Sequence, residues 1–159
     1  MLQVQFPEII LPSSKYDVVT ILKIFESYSS KQGLNLYDNY LKLNEYAIEA
    51  DLNSIYKMFL NLSSIKFVID LLPTMGKTYN NWMLIQVTSN TANSFTTKTS
   101  FPDVCQIENA TLPSLHGGYS GVLKACKYKI NKIVSGKSYS NTDLTGWKTV
   151  ETEIHYSKI

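Results

Sequence analysis

The spacing of apolar side chains changes period along this chain, and that change most constrains its fold. Apolar positions that alternate in some stretches and recur every three or four residues in others point to mixed α and β structure. Leu2, Val4 and Phe6 alternate with Gln3 and Gln5, which reads as a strand with one buried face. Ser14 and Asp17 resemble a capping box, and Val18, Ile21, Leu22, Phe25 and Tyr28 then recur at helical spacing, so a helix is expected over about 15–31. Gly33 is placed to stop it. Leu36, Leu41, Leu43, Tyr46 and Ile48, interrupted at Asp38 and Asn39, read as two strands joined by a tight turn. Asp51 is a good N-cap, and Leu52, Ile55, Tyr56, Phe59 and Leu60 predict a second helix over 52–61. Residues 65–72 read as a strand closed by Pro73 and Gly76.

This order, βαββαβ, is ferredoxin-like, so the fold class expected is α+β with a ferredoxin-like half over 1–73 and a β-rich half over 80–159. Further strands are expected at 82–87, 104–107, 122–133 and 147–156, with mobile polar loops at 91–100 and 135–146. With 159 residues, a single domain spanning the chain is the default. Hydrophobic residues at 44% and charged residues at 18% exclude wholesale disorder. No apolar run is long enough to span a bilayer and no secretory leader is visible, so the expectation is a cytoplasmic protein with no membrane partner.

All 15 basic residues are lysines, so the planar fork with which arginine binds phosphates is missing. An AT-rich coding sequence accounts for that equally well. A net charge of +2 is too mild for a dedicated nucleic-acid binder. Cys105, Cys126, His116 and His155 exhaust the soft ligands and form no close pair of the zinc type, so no metal and no cofactor are expected. The cysteines read as reduced strand residues.

Three constellations carry possible chemistry. Leu115, His116, Gly117, Gly118, Tyr119, Ser120 and Gly121 read as a glycine-rich loop, with Gly117, Gly118 and Gly121 able to approach a ligand and His116 a candidate general base; a plain loop explains the same residues. Lys124, Lys127, Lys129, Lys132 and Lys137 with Tyr128 form a basic cluster that suits an RNA backbone with a stacking ring, or merely guards a strand edge. Glu151 and Glu153 alternate on the last strand and read as a solvated face.

The helical segment 19–33, the segment 46–56 and the strand segment 82–90 resemble the repeat-processing endoribonucleases of type I-F CRISPR systems, in the RAMP superfamily. That family's catalytic histidine falls where this chain has Glu26, and its arginine-rich helix has no counterpart here. The resemblance therefore implies a non-catalytic binding module whose protein partner is a CRISPR effector complex, with RNA as a second partner, and thus a viral mimic or inhibitor of the processing subunit in a bacterial host or phage-infected cell. A phage or virus assembly protein is the first alternative. The second is a metal-independent hairpin ribonuclease using His116 with Lys124 or Lys127.

Overall fold

Helical spacing near the start of the chain is realised as α1 (Val18–Gln32), which Gly33 ends in the left-handed conformation at φ 61°. The computed structural model describes residues 18–33, 35–55, 60, 63–80, 82–105 and 110–159. The strand expected at 2–6 and the Ser14/Asp17 pair lie outside them.

One helix, α2 (Leu36–Ile55), stands where two strands and the start of a second helix were expected. Its inward stripe is mixed. Tyr40 and Leu52 are buried, and Asn39 is buried beside them because its Nδ2 donates to Ser29 Oγ of α1 at 2.6 Å. Asn44 also faces inward, its Nδ2 donating to the Tyr40 carbonyl at 2.9 Å and to Ser114 Oγ at 3.2 Å. Those internal partners remove the cost of burying the amides. Residues 56–59 and 61, within the rest of the expected second helix, are outside the described set.

Two short helices, α3 (Ile65–Asp70) and α4 (Leu72–Tyr79), replace the strand expected over 65–72. Ser64 caps α3 by accepting the Phe67 N–H at 3.2 Å. Pro73 sits in the first turn of α4, where an absent N–H costs nothing, instead of terminating a strand.

The second half supplies an antiparallel sheet of β1 (Leu84–Asn90), β2 (Ser94–Pro102), β3 (Tyr128–Ser135), β4 (Tyr139–Ser140) and β5 (Trp147–Lys158), with one helix, α5 (Leu112–Ala125), between β2 and β3. The order is β1-β2-β5-β3, with β4 also paired to β5. The chain is α+β, as expected. Among the described residues no strand precedes Leu84, so the ferredoxin-like order is not found.

Most of the stretch read as a mobile loop, 91–100, is β2. Phe95, Thr97, Thr99 and Phe101 face inward, and the threonines are fully buried because Tyr119 Oη lies 2.7 Å from Thr97 Oγ1 and 3.3 Å from Thr99 Oγ1. The stretch 122–133 is divided between the end of α5 and β3, and 135–146 is a loop that carries the short β4. Val150, Ile154 and Tyr156 of β5 join Phe95 and Phe101 under Leu115, Tyr119, Val122 and Leu123 of α5, with Leu52, Val68, Ile69 and Leu72 continuing the core across the helices. The layers are thus sheet, α5, and α2 packed along α5. Glu151 and Glu153 are exposed, as read. Among the described residues no helix is long and apolar enough to cross a membrane.

Candidate functional site

The motif read as a glycine loop is the middle of α5, and its glycines are packing residues. A Cβ on Gly117 would fall well inside contact distance of the Leu41 carbonyl oxygen, and one on Gly121 would lie 2.6 Å from that of Glu45. The pair, four residues apart, lets α5 lie against the backbone of α2. Gly118, one position round the helix, would meet nothing within 4 Å.

His116 is buried in the same helix. Tyr37 Oη lies 3.0 Å from its Nδ1 and Ser135 Oγ lies 2.9 Å from its Nε2, while Ser135 Oγ is 2.8 Å from Thr152 Oγ1. A neutral imidazole has one N–H and one acceptor, which match these two hydroxyls. Burial holds its pKa below the ordinary value, so the ring is neutral at pH 7. It fastens α2, α5, β3 and β5 together instead of offering a free nitrogen to a substrate.

The lysines are placed apart. Lys124, on α5 and not on a strand, holds Glu45 at 2.6 Å. Burial alone would raise the Glu45 carboxyl, but hydrogen bonds from Lys124 and Ser120 and the lysine's charge hold it below the usual range. Lys127 lies in the turn before β3 with φ 65°, so it does not share a strand face with Lys129. Lys129 and Lys132 are exposed on β3, where a bulge between Ile130 and Lys132 sets Lys129 opposite Ser157 and Lys132 opposite His155. Tyr128 packs edge-on against Tyr156 with ring centroids 5.6 Å apart, so its ring is turned into the protein. Lys137 is exposed in the loop before β4.

A cavity of about 270 Å³ lies between α2, α4, β1 and α5. Its wall includes Tyr40 and Ile48 of α2, Leu72 and Met75 of α4, Trp82 and Met83 ahead of β1, Ile85 of β1, and Leu115, Gly118, Tyr119 and Val122 of α5. Asn44, Asn80, Thr111 and Ser114 add polar edges, and among the described residues no charged side chain lines it. Gly118 contributes directly to the space, since it leaves its side of α5 bare. Sequence reasoning missed this site. The run of Leu72, Met75, Trp82, Met83 and Ile85 was its one visible signal.

Neither histidine and neither cysteine of the chain lines the cavity. Cys105 sits in the turn after β2 and Cys126 just after α5, not on strands, and burial pushes both thiols up to about 11. His155, on β5, is 2.9 Å from Glu153. Among the described residues no three His, Cys, Asp or Glu side chains gather to hold a metal ion. Tyr119, lining the cavity, has its phenol pushed up to about 12 by burial.

No protein-family model matches the sequence, and no curated protein matches it. Solved structures do match in shape. A mutant of the T. tengcongensis H-NOX aligns with TM-score 0.69 at 12% identity over 95% of this chain and 80% of that one. An oxygen-binding H-NOX domain related to soluble guanylate cyclases gives TM-score 0.69 at 11% identity over 95% and 78%. The Fe(II) unliganded H-NOX protein from K. algicida gives TM-score 0.64 at 17% identity over 92% and 76%. These matches overturn the resemblance to CRISPR endoribonucleases, whose supporting segment 46–56 was read as a strand and helix and lies largely in α2. The functional reading drawn from that resemblance, with its processing-subunit mimic, falls with it. In architecture, this chain has the fold of H-NOX domains.

Proposed function

We propose that the chain is a ligand-binding domain on the H-NOX fold that takes a small, largely apolar molecule directly into the cavity between α2, α4, β1 and α5, without heme. One observation carries the reading: a cavity of about 270 Å³ whose wall, among the described residues, is uncharged and mainly apolar, in a fold whose solved examples include heme proteins.

The cavity does not fit heme. Iron in a porphyrin takes a histidine, a cysteine thiolate, a histidine with methionine, or a tyrosine as its protein ligand. Histidine and cysteine are absent from this wall. Tyr119 is held as a phenol by burial and tied to Thr97 and Thr99, and burial likewise raises Tyr40 above its ordinary range. Among the described residues Met75 and Met83 remain, and a thioether ligates heme iron alongside histidine. Among the described residues no lysine lines the cavity to receive the carboxylates of a heme. At about 270 Å³, the space also falls short of the roughly 300–1,000 Å³ usual for drug-sized ligands.

An apolar molecule suits the same wall. A cavity of about 150 Å³ lined by aliphatic and aromatic groups stays dry and binds benzene. Bromobenzene, whose heavy atom quenches an adjacent indole, tests the reading through Trp82. Saturable quenching is expected in the wild-type chain and its loss in Gly118→Leu, which fills the bare side of α5 while leaving the protein folded by circular dichroism. Unsaturable quenching, equal in both proteins, would overturn it.

A further inference from the structure

We infer that the molecule held in this cavity carries one uncharged hydrogen-bonding head, a hydroxyl or a carbonyl, and that Thr111 is the group that engages it. The inference rests on the ligand-binding reading above and adds the chemical class of the ligand.

Thr111 lines the cavity and is almost fully buried, yet its hydroxyl makes no hydrogen bond. A buried hydroxyl without a partner loses its water and receives nothing in return, so native proteins rarely keep one. Its position makes the omission sharper. Thr111 is the residue ahead of α5, where a threonine ordinarily caps the helix from an extended backbone, but here φ −71° and ψ −46° are helical and no capping bond forms. Other polar groups deep in the wall are occupied. Asn44 bonds the Tyr40 carbonyl and Ser114, and the Tyr119 hydroxyl is shared between Thr97 and Thr99.

The hydroxyl of Thr111 is sealed from solvent, so it meets a ligand by turning about its Cα–Cβ bond toward the cavity. Threonine in helical backbone divides between two side-chain rotamers, so such a turn has a second staggered position to reach. The head is uncharged because no charged residue among those described lines the cavity to pair with an ion, and an unpaired buried charge is prohibitive. The body is about the size of two fused rings, since the volume of about 270 Å³ is nearly twice that which holds a benzene.

Calorimetric titration with 2-naphthol and with naphthalene separates the head from the body. The wild-type chain should bind 2-naphthol about tenfold more tightly, the worth of one hydrogen bond to a group otherwise left unpaired. In Thr111→Val that preference should vanish while naphthalene binding stays within about twofold. Thr111→Ser should keep it. Thr111→Val without ligand should also melt at a higher temperature than wild type, because it removes an unpaired hydroxyl. Equal binding of the two probes by wild type, or a preference that survives Thr111→Val, would overturn the head-group inference and leave the apolar cavity standing. Failure of both probes to bind would overturn the cavity reading itself, and this inference with it.

Discussion

Two faces of one helix, α5, differ in a way that separates structure from function. Toward α2, Gly117 and Gly121 have no room even for a methyl group, and backbone meets backbone. Toward the cavity, Gly118 faces open space. The residue type is the same and adjacent in sequence. What differs is the neighbour: α2 closes one side, while α4 and β1 stand off the other and leave the cavity. A small residue is therefore informative only once its surroundings are known, and this chain uses glycine both to seal and to open.

The contrast is easiest to break at Gly117. In Gly117→Ala the new Cβ would press on the Leu41 carbonyl, which is backbone and cannot turn aside. Overpacking of this kind should cost about 3 kcal/mol, well beyond the roughly 1 kcal/mol that alanine gains in helix propensity. The net loss should lower the melting temperature by roughly 4–8 °C, read by calorimetry or circular dichroism.

His116 tests the same sealed side through its hydrogen bonds. His116→Ala removes an imidazole bonded to both Tyr37 and Ser135 and should cost about 2 kcal/mol in denaturant unfolding. Burial lowers the folded-state pKa of this ring, so the unfolded chain binds a proton more readily. Its contribution is thus fully present above the unfolded value near 6.5 and is lost as pH falls from there through the lower folded value. Stability measured from pH 7.5 to 5 should fall in wild type and fall less steeply in His116→Gln.

Gly118→Ala sharpens the comparison from the open side. It meets no clash and should stabilise the chain by about 0.5–1 kcal/mol through helix propensity, while shrinking the cavity and weakening bromobenzene quenching of Trp82. A gain at Gly118 with a loss at Gly117 is the signature of the two faces. Smallest of all, Lys124→Ala should cost under about 1 kcal/mol, because its bond to Glu45 is at the surface.

How far the sequence revealed this architecture depended on whether inward positions were apolar. β5 was legible because its buried face follows its period, in Val150, Ile154 and Tyr156, and α1 was legible from helical spacing closed by Gly33. α2 was not, since Asn39 and Asn44 face inward and break the apolar stripe, and their partners Ser29, Ser114 and the Tyr40 carbonyl make that burial tolerable. β2 was hidden for the same reason: Thr97 and Thr99 look like loop residues until Tyr119 supplies their hydrogen bond. The glycines of α5 suggested a loop by their low helix propensity, which tertiary packing against α2 overrides. Residues 64–79 carried a serine cap and a first-turn proline that suit helices, and the β-branched run obscured both. His116 was visible as a candidate, but its two hydroxyl partners are 79 and 19 residues away, so its tethering role was not. The cavity draws its wall from α2, α4, β1 and α5, and no local pattern encodes a space between four elements.

The central claim, a ligand cavity on an H-NOX fold that takes a small molecule in place of heme, is tested most directly by titrating the purified chain with hemin and following the Soret band. The account predicts a band that remains that of free hemin at every ratio, with no break at one equivalent. A sharp, shifted band that saturates at one hemin per chain would contradict it.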